Sequence, residues 1–388
     1  MENSREKAQP ISHVIWDLDG TILDSEGMFL EAMVEIASKY GKTLTPDIEG
    51  MITGVRPLDA WANIAKRLEI DETPEALYAQ SEGLLSERWK NSRLMPGALR
   101  ILEHFKSCGI PQALATSTYR CNVPKKMIGR ESLMSMFQAT VCGDEVPNGK
   151  PSPDIFLSTA EKLGADPKNC LVFEDAPAGA KAGVAAGMRV AVIPSLTDIE
   201  AYPPVEPGCS VGILTRLASL LDFKPSEFGM PPLTDFVCGS VPVTPTLCMK
   251  GTVVKGFGRG SKELGIPTAN LDSKSIAAAL AKTVTGIYLG WASVGSSTEV
   301  HKMVMSIGWN PFYKNEKKTA EPWLLHTFEE DFYGEELRLA VCGYIRPESN
   351  FNSLEDLIAR IHKDGDIASE ALDQESMNSL KDLPFLKP

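Results

Sequence analysis

The sequence predicts two domains. The first is an α/β domain with a parallel sheet and an inserted helical lobe; the second is a small antiparallel β-barrel with a closing helix. Three observations predict this. Through the first half, short apolar runs alternate with helix-like patterns, the order that builds a parallel sheet covered on both faces. Through the second half, apolar runs follow one another across glycine turns and end in one amphipathic segment, which suits a barrel with a helix against it. Between the halves the composition shifts to proline, glycine and turn residues, the mark of a domain boundary.

Taken in order, HVIWDL reads as a buried strand and FLEAMVEIASKY as a helix. From about Glu26 to Met95 the pattern stays helical with no clear buried strand, so this segment reads as a lobe inserted after the first strand. LEHFKSCG and PQALATST give helix, break and strand. DIFLSTAEKLG is a helix ended by Gly164, CLVFED a strand, GAKAGVAAGM a helix and RVAVIPS a strand. VGILTRLASLLDF reads as a short helix closing this domain, which spans 1–225. A proline-rich linker over 226–246 leads to the second domain, 247–388. There LCMKGTVVKGFG, GIYLGWASV, EVHKMVMSIGW, PWLLHTFEEDF and ELRLAVCGYI read as strands, and NSLEDLIARIHKD as the closing helix.

Composition excludes several classes. The 388 residues suit two ordinary domains. With 39 Lys plus Arg against 51 Asp plus Glu, a net charge of -12 argues against a general nucleic-acid surface. No apolar run approaches the roughly 20 residues that span a bilayer. The opening MENSREKAQP is too polar for a secretory signal and too short and acidic for a transit peptide. The eight cysteines are scattered with no CxxC pair, so a disulfide framework or zinc site is not expected. Together these predict a soluble cytoplasmic protein that binds neither nucleic acid nor membrane.

The stretch VIWDLDGT puts Asp17 and Asp19 directly behind an apolar strand, at the carboxyl edge where open α/β sheets bind ligands. Two further strands deliver Thr116 with Ser117, and Glu174 with Asp175, to the same edge, and Lys150 lies in the loop GKPSPDIF. Asp17 can attack phosphorus to form an aspartyl phosphate. Asp17 and Asp175, helped by Glu174, suit Mg²⁺. Thr116 and Lys150 can hold phosphoryl oxygens, and Asp19 can protonate the leaving oxygen and then deprotonate water. DLDGT, ALAT, GKPSPDIF and EDAPAGAKAG together resemble the haloacid dehalogenase-like hydrolases over roughly residues 11–222. The resemblance implies a HAD-like Rossmannoid sheet with a helical cap, Asp17 as nucleophile, Asp19 as acid/base, Thr116, Ser117 and Lys150 at the phosphate, and Asp17, Asp19 and Asp175 at the metal. Asp19 points to phosphatases or mutases within the family. In the cap, Arg56 reads either as a surface arginine or as a grip on a second phosphate, and Trp61 and Trp89 either as cap core or as stacking platforms.

The second candidate site is GTVVKGFGRGSKELGIPTANL, residues 251–271. Its glycines, Gly256 and Gly258 among them, permit close backbone approach to phosphate oxygens, yet GxxxxGK[ST] is absent, so this is not a P-loop. Thr268 offers a hydroxyl to a metal, and Asn270 both donates and accepts; a glycine-rich hairpin with a polar turn is the plainer alternative. GWNPFYKN, Glu321 before an apolar run, and RPESNF complete a pattern that resembles riboflavin kinase over about 247–365. The resemblance implies ATP and Mg²⁺ near Thr268 and Asn270, with Lys262 near the phosphates, Glu321 as base on the ribityl hydroxyl, and Arg346 near the flavin. Many members carry a histidine two places after the glutamate, where this chain has Trp323 behind Pro322. His326 reads as half-buried in a strand. The order of the halves resembles plant enzymes that both phosphorylate riboflavin with ATP and hydrolyse FMN, so riboflavin, FMN, ATP and ADP are the expected ligands. A hydrolase acting on another small phosphate ester is the alternative for the first half.

Overall fold

The computed structural model describes residues 10–196, 198–255, 266–281, 283–309, 318–349 and 353–388. The chain divides into two compact units between Pro232 and Leu233.

The first unit begins with β1 (His13–Trp16), β2 (Leu23–Asp24) and β3 (Arg93–Leu94), followed by β4 (Gln112–Thr116), β5 (Ala139–Cys142), β6 (Cys170–Glu174), β7 (Arg189–Val192) and β8 (Gly212–Arg216). Six of these form one parallel sheet in the order β5-β4-β1-β6-β7-β8. Its strands β4, β6 and β7 are buried along their whole length, since alternate side chains point to opposite faces and both faces are covered. Val14 and Trp16 of β1 enter one core with Phe105, Phe173 and Phe223, while Ile15 enters the other with Phe156 and Val172. Trp16 stacks on Phe173 at 4.2 Å between ring centroids and donates its indole N–H to Gln112 Oε1 at 3.0 Å.

Between β2 and β3 lie four helices, Glu26–Lys39, Pro46–Ile52, Pro57–Leu68 and Pro74–Leu85. This is the expected cap, with its own core around Met33, Ile36, Trp61, Ile64 and Leu77. Trp61 is fully buried and donates to Ser81 Oγ at 3.2 Å, and Trp89 is buried as well. Both are packing residues.

One expected element is corrected. VGILTRLASLLDF is not a helix but the edge strand β8 followed by a single 3-10 turn, Leu220–Asp222. The open edge of β7 supplies partners for its backbone, including Leu217 N–H to Val192 O at 2.8 Å. Ser219 Oγ then accepts from Leu221 N–H, which sets the turn. In the segment read as a linker, Phe228 and Met230 pack into the first unit's core.

The second unit holds β9 (Val241–Val254), β10 (Asn270–Leu271), β11 (Gly286–Val294), β12 (His301–Trp309), β13 (Lys318–Leu324) and β14 (Glu336–Arg346). They form an antiparallel sheet in the order β10-β9-β14-β11-β12-β13. Ala269 N–H donates to Pro322 O at 2.8 Å, which joins the two ends into a nearly closed barrel. The closing helix, Leu354–Asp373, lays Ala368, Ala371 and Leu372 on Leu289, Trp291 and Ala340. Trp291 donates to Met377 O at 2.9 Å. His326 lies beyond the end of β13, exposed, with its ring 4.3 Å from His301 and 4.7 Å from Phe328. The strand expected to hold it stops at Leu324. Among the described residues, no helix is long and apolar enough to cross a membrane.

Candidate active sites

Because β1, β4 and β6 run parallel, their carboxyl ends deliver Asp17, Thr116 and Glu174 to one edge. Lys150, whose side chain is fully buried, ties them together. Its ammonium donates to Asp17 Oδ1 at 2.5 Å, Glu174 Oε1 at 2.7 Å and Ala115 O at 3.2 Å. Glu174 Oε2 accepts the backbone N–H groups of Asp175 and Ala176, each at 3.0 Å. A Cβ on Gly179 would stand 1.7 Å from Glu174 Oε1, so the glycine in EDAPAG makes room for that carboxylate. Gly20, at φ +82°, does the same for Asp175: a Cβ there would lie 2.1 Å from Oδ2.

Burial dominates the electrostatics. It pushes Asp17 up to about 8 against the pull of Lys150, and raises Asp175 as well, with Glu174 adding to that rise. Burial alone would lower Lys150, yet Asp17 and Glu174 hold it above the ordinary lysine range.

Asp17, Glu174 and Asp175 bring carboxylate oxygens within 4.8 Å of one another. Both oxygens of Glu174 are taken by Lys150 and the two amides. Asp175 Oδ1 accepts from Thr21 Oγ1 at 3.2 Å, whereas its buried Oδ2 has no hydrogen-bond partner. That orphaned oxygen, beside the Asp17 carboxylate, fits a hard cation that takes few protein ligands, as Mg²⁺ does.

Asp19 is placed differently. Its Oδ1 accepts from Ser25 Oγ and from Lys126 Nζ at 2.7 Å, and its Oδ2 accepts from Thr118 Oγ1 at 2.6 Å. Burial would raise its pKa, but Lys126 and these hydrogen bonds hold it below the usual carboxylate range. Three of the roughly four acceptor sites of this carboxylate are thus engaged, and among the described residues the cluster of candidate ligand oxygens is that of Asp17, Glu174 and Asp175. Thr116 is buried, its hydroxyl accepting Thr118 N–H at 3.1 Å. Ser117 Oγ donates to Gly54 O at 2.8 Å, so this expected phosphate ligand instead ties the cap loop to the sheet edge. Arg56 does likewise, pairing with Asp59 at 2.7 Å and donating to Pro147 O at 3.3 Å. It lines a cavity of about 480 Å³ with Asn63, Asn148, Lys150 and Lys181.

Sequence reasoning missed Ser25, Thr118 and Lys126, and also Glu26. This half-buried residue opens the first cap helix, and burial together with Asp19 and Asp17 pushes it up to about 8. The two residues before Glu26 continue the run that follows DLDGT, so proximity along the chain was the one available signal.

In the second unit the bond from Ala269 to Pro322 joins the segment that holds Thr268 and Asn270 to the strand that carries Glu321. Asn270 opens β10 opposite Val254, and Glu321 lies opposite Ser306. Glu321 shares its strand face with Trp323, whose ring meets His362 of the closing helix at 5.9 Å. A Cβ on Gly308 would fall 2.3 Å from Glu348 Oε1, so that glycine and that glutamate lie side by side. Arg346 pairs with Asp364 of the closing helix at 2.7 Å. Gly256, Gly258 and Lys262 lie outside the described residues.

Residues 14–193 match the haloacid dehalogenase-like hydrolase family, and residues 244–372 match the riboflavin kinase family. Fold and sites thus define a phosphoryl hydrolase fused ahead of a flavin kinase. The bifunctional riboflavin kinase/FMN phosphatase of Arabidopsis thaliana is 43% identical over 386 residues, covering 100% of this chain and 99% of its own. The chain belongs to the bifunctional riboflavin kinase/FMN phosphatase family. The riboflavin kinase of Mus musculus is 56% identical over 143 residues, 37% of this chain and 91% of that one. A (DL)-glycerol-3-phosphatase of Arabidopsis thaliana is 36% identical over 237 residues, covering 58% of this chain and 76% of that one.

Proposed function

We propose that the first unit hydrolyses FMN to riboflavin and phosphate through an aspartyl phosphate, and that the second transfers the γ-phosphoryl group of ATP to riboflavin. The observation that carries the hydrolase reading is the buried ammonium of Lys150 bridging Asp17 and Glu174 beside the orphaned oxygen of Asp175. Asp17 attacks phosphorus. Lys150 and Thr116 bind the phosphoryl oxygens, Lys150 offsetting the charge that builds on them. Asp19, held as the ionised carboxylate by Lys126 and its hydrogen bonds, takes a proton from the attacking water and, protonated in turn, gives it to the leaving oxygen of the next ester. Asp17 and Asp175 would hold Mg²⁺, which screens the anionic nucleophile from the anionic ester.

In the kinase unit Glu321 takes the proton of the ribityl 5′-hydroxyl, while Thr268 and Asn270 hold the nucleotide phosphates and their metal. Lys262 and the glycines Gly256 and Gly258 serve the same phosphates, and Arg346 the flavin side. Both reactions use soluble small molecules and fit a cytoplasmic setting.

A second reading gives the first unit another small phosphate ester, favoured by its 36% identity with the glycerol-3-phosphatase. The test uses the full chain with Glu321→Gln silencing the kinase. Phosphate release in Mg²⁺ is measured from FMN, glycerol 3-phosphate and several sugar phosphates. Highest kcat/KM on FMN is expected; a clear preference for another ester replaces the FMN assignment.

A further inference from the structure

The four-residue helix Val123–Lys126 carries two adjacent lysines with opposite fates. The side chain of Lys125 is 44% exposed and reaches Asn122 and Glu82, as surface lysines do. The side chain of Lys126 is 8% exposed. Its ammonium donates to Asp19 Oδ1 at 2.7 Å and to Thr118 Oγ1 at 2.8 Å, and it lies 4.2 Å from the centre of the Trp89 ring. Thr118 in turn donates to the other oxygen of Asp19, so Lys126, Thr118 and Ser25 surround that carboxylate with donors.

Taking an ammonium out of water is costly, and a buried pair of this kind adds little net stability over an apolar replacement. What such a pair does supply is a fixed geometry, because hydrogen bonds sharpen as the surroundings dry. Here the fixed group is Asp19, with all three neighbours using it as an acceptor.

We infer that Lys126 is a positioning residue for the hydrolase reaction, holding the Asp19 carboxylate toward the water that releases phosphate from Asp17. The inference rests on the reading of Asp19 as acid/base. In that step the water oxygen bonds to phosphorus and the bond from phosphorus to Asp17 breaks, its electron pair returning to the Asp17 carboxylate. The proton of the water passes to Asp19, and inorganic phosphate leaves. Lys126 keeps its own protons throughout.

With an ester whose leaving group departs without a proton, a residue that holds Asp19 acts only in this second half and has a kinetic signature that a structural residue lacks. With Lys126→Met in the full chain and p-nitrophenyl phosphate as substrate, kcat falls on the order of 10- to 100-fold. KM falls with it, so kcat/KM stays within about threefold, since that ratio reports only the steps through departure of the leaving group. Rapid mixing shows a burst of about one p-nitrophenolate per chain before slow turnover. Lys126→Gln, which keeps a donor for Asp19, gives the same split with a smaller fall in kcat, and it decides the matter if Lys126→Met does not fold. Parallel loss of kcat and kcat/KM without a burst, or turnover at the unmodified rate, overturns the inference. Asp19→Asn separates the two levels. If it too turns over normally, the acid/base reading itself fails; if it bursts and stalls while the Lys126 variants turn over normally, only the role of Lys126 fails.

Discussion

Gly20→Ala is the most informative small change at the hydrolase site. The residue sits at φ +82°, and a Cβ there would stand 2.1 Å from Asp175 Oδ2, where contacts under 3.0 Å are essentially never seen. The left-handed backbone costs about 1–2 kcal/mol for a residue with a Cβ. The larger effect is displacement, since Asp175 Oδ2 must retreat by about 0.9 Å, the difference between 3.0 and 2.1 Å. That oxygen is the orphan assigned to the cation, and a misplacement of roughly 1 Å costs about 100-fold in rate. The assay is phosphate release from FMN by the full chain over a Mg²⁺ titration, with riboflavin phosphorylation as the control for folding elsewhere. Gly20→Ala should lower the hydrolytic rate about 100-fold and raise the Mg²⁺ needed for half-maximal rate, leaving the kinase rate in place. Hydrolysis within about threefold of the unmodified chain, at the same Mg²⁺ requirement, would show that Asp175 Oδ2 does not hold the cation.

Three further outcomes follow from the same geometry. Lys150→Met leaves Asp17 and Glu174 facing each other in a buried site, so urea unfolding should show the first unit weakened by about 3–5 kcal/mol, with hydrolysis lost; a change under about 1 kcal/mol would mean the two carboxylates find other partners. Glu321→Gln keeps the size of the side chain but removes the base, so FMN formation should fall about 10²- to 10⁴-fold while ATP affinity stays put. Equal damage to ATP binding would make Glu321 structural. Asp364, 1% exposed between Arg346 and Arg360, pins the closing helix, so Asp364→Ala should lower the temperature at which the kinase inactivates and leave the hydrolase curve unmoved; joint inactivation would refute this.

The parts legible in the sequence are those where local pattern and chemistry coincide. The apolar runs of β1, β4 and β6 each end in the polar residues that the sheet edge uses, so the sequence alone places Asp17, Thr116, Glu174 and Asp175 together. Gly164 marked the helix end it occupies, in the left-handed region at φ 66°. What could not be read depends on distant partners. GILTR is a strand because the edge of β7 lies open beside it, and tertiary pairing of that kind overrides local propensity. Lys126 looks like its neighbour Lys125 on paper; only the fold brings Asp19 and Trp89 around it. Ser117 follows the expected motif, but its hydroxyl turns to the cap loop, whose position no periodicity encodes. Asp19 shows the same limit, since spacing brought it to the site without revealing that three donors would claim its oxygens.

The central claim is that one chain carries two independent catalysts for opposed reactions. Asp17→Asn in the full chain tests it most directly, with phosphate release from FMN and FMN formation from riboflavin and ATP measured on the same preparation. The account predicts that phosphate release disappears, FMN formation continues at the unmodified rate, and FMN therefore accumulates further than with the unmodified chain. Loss of both activities together, or persistence of phosphate release, would contradict it.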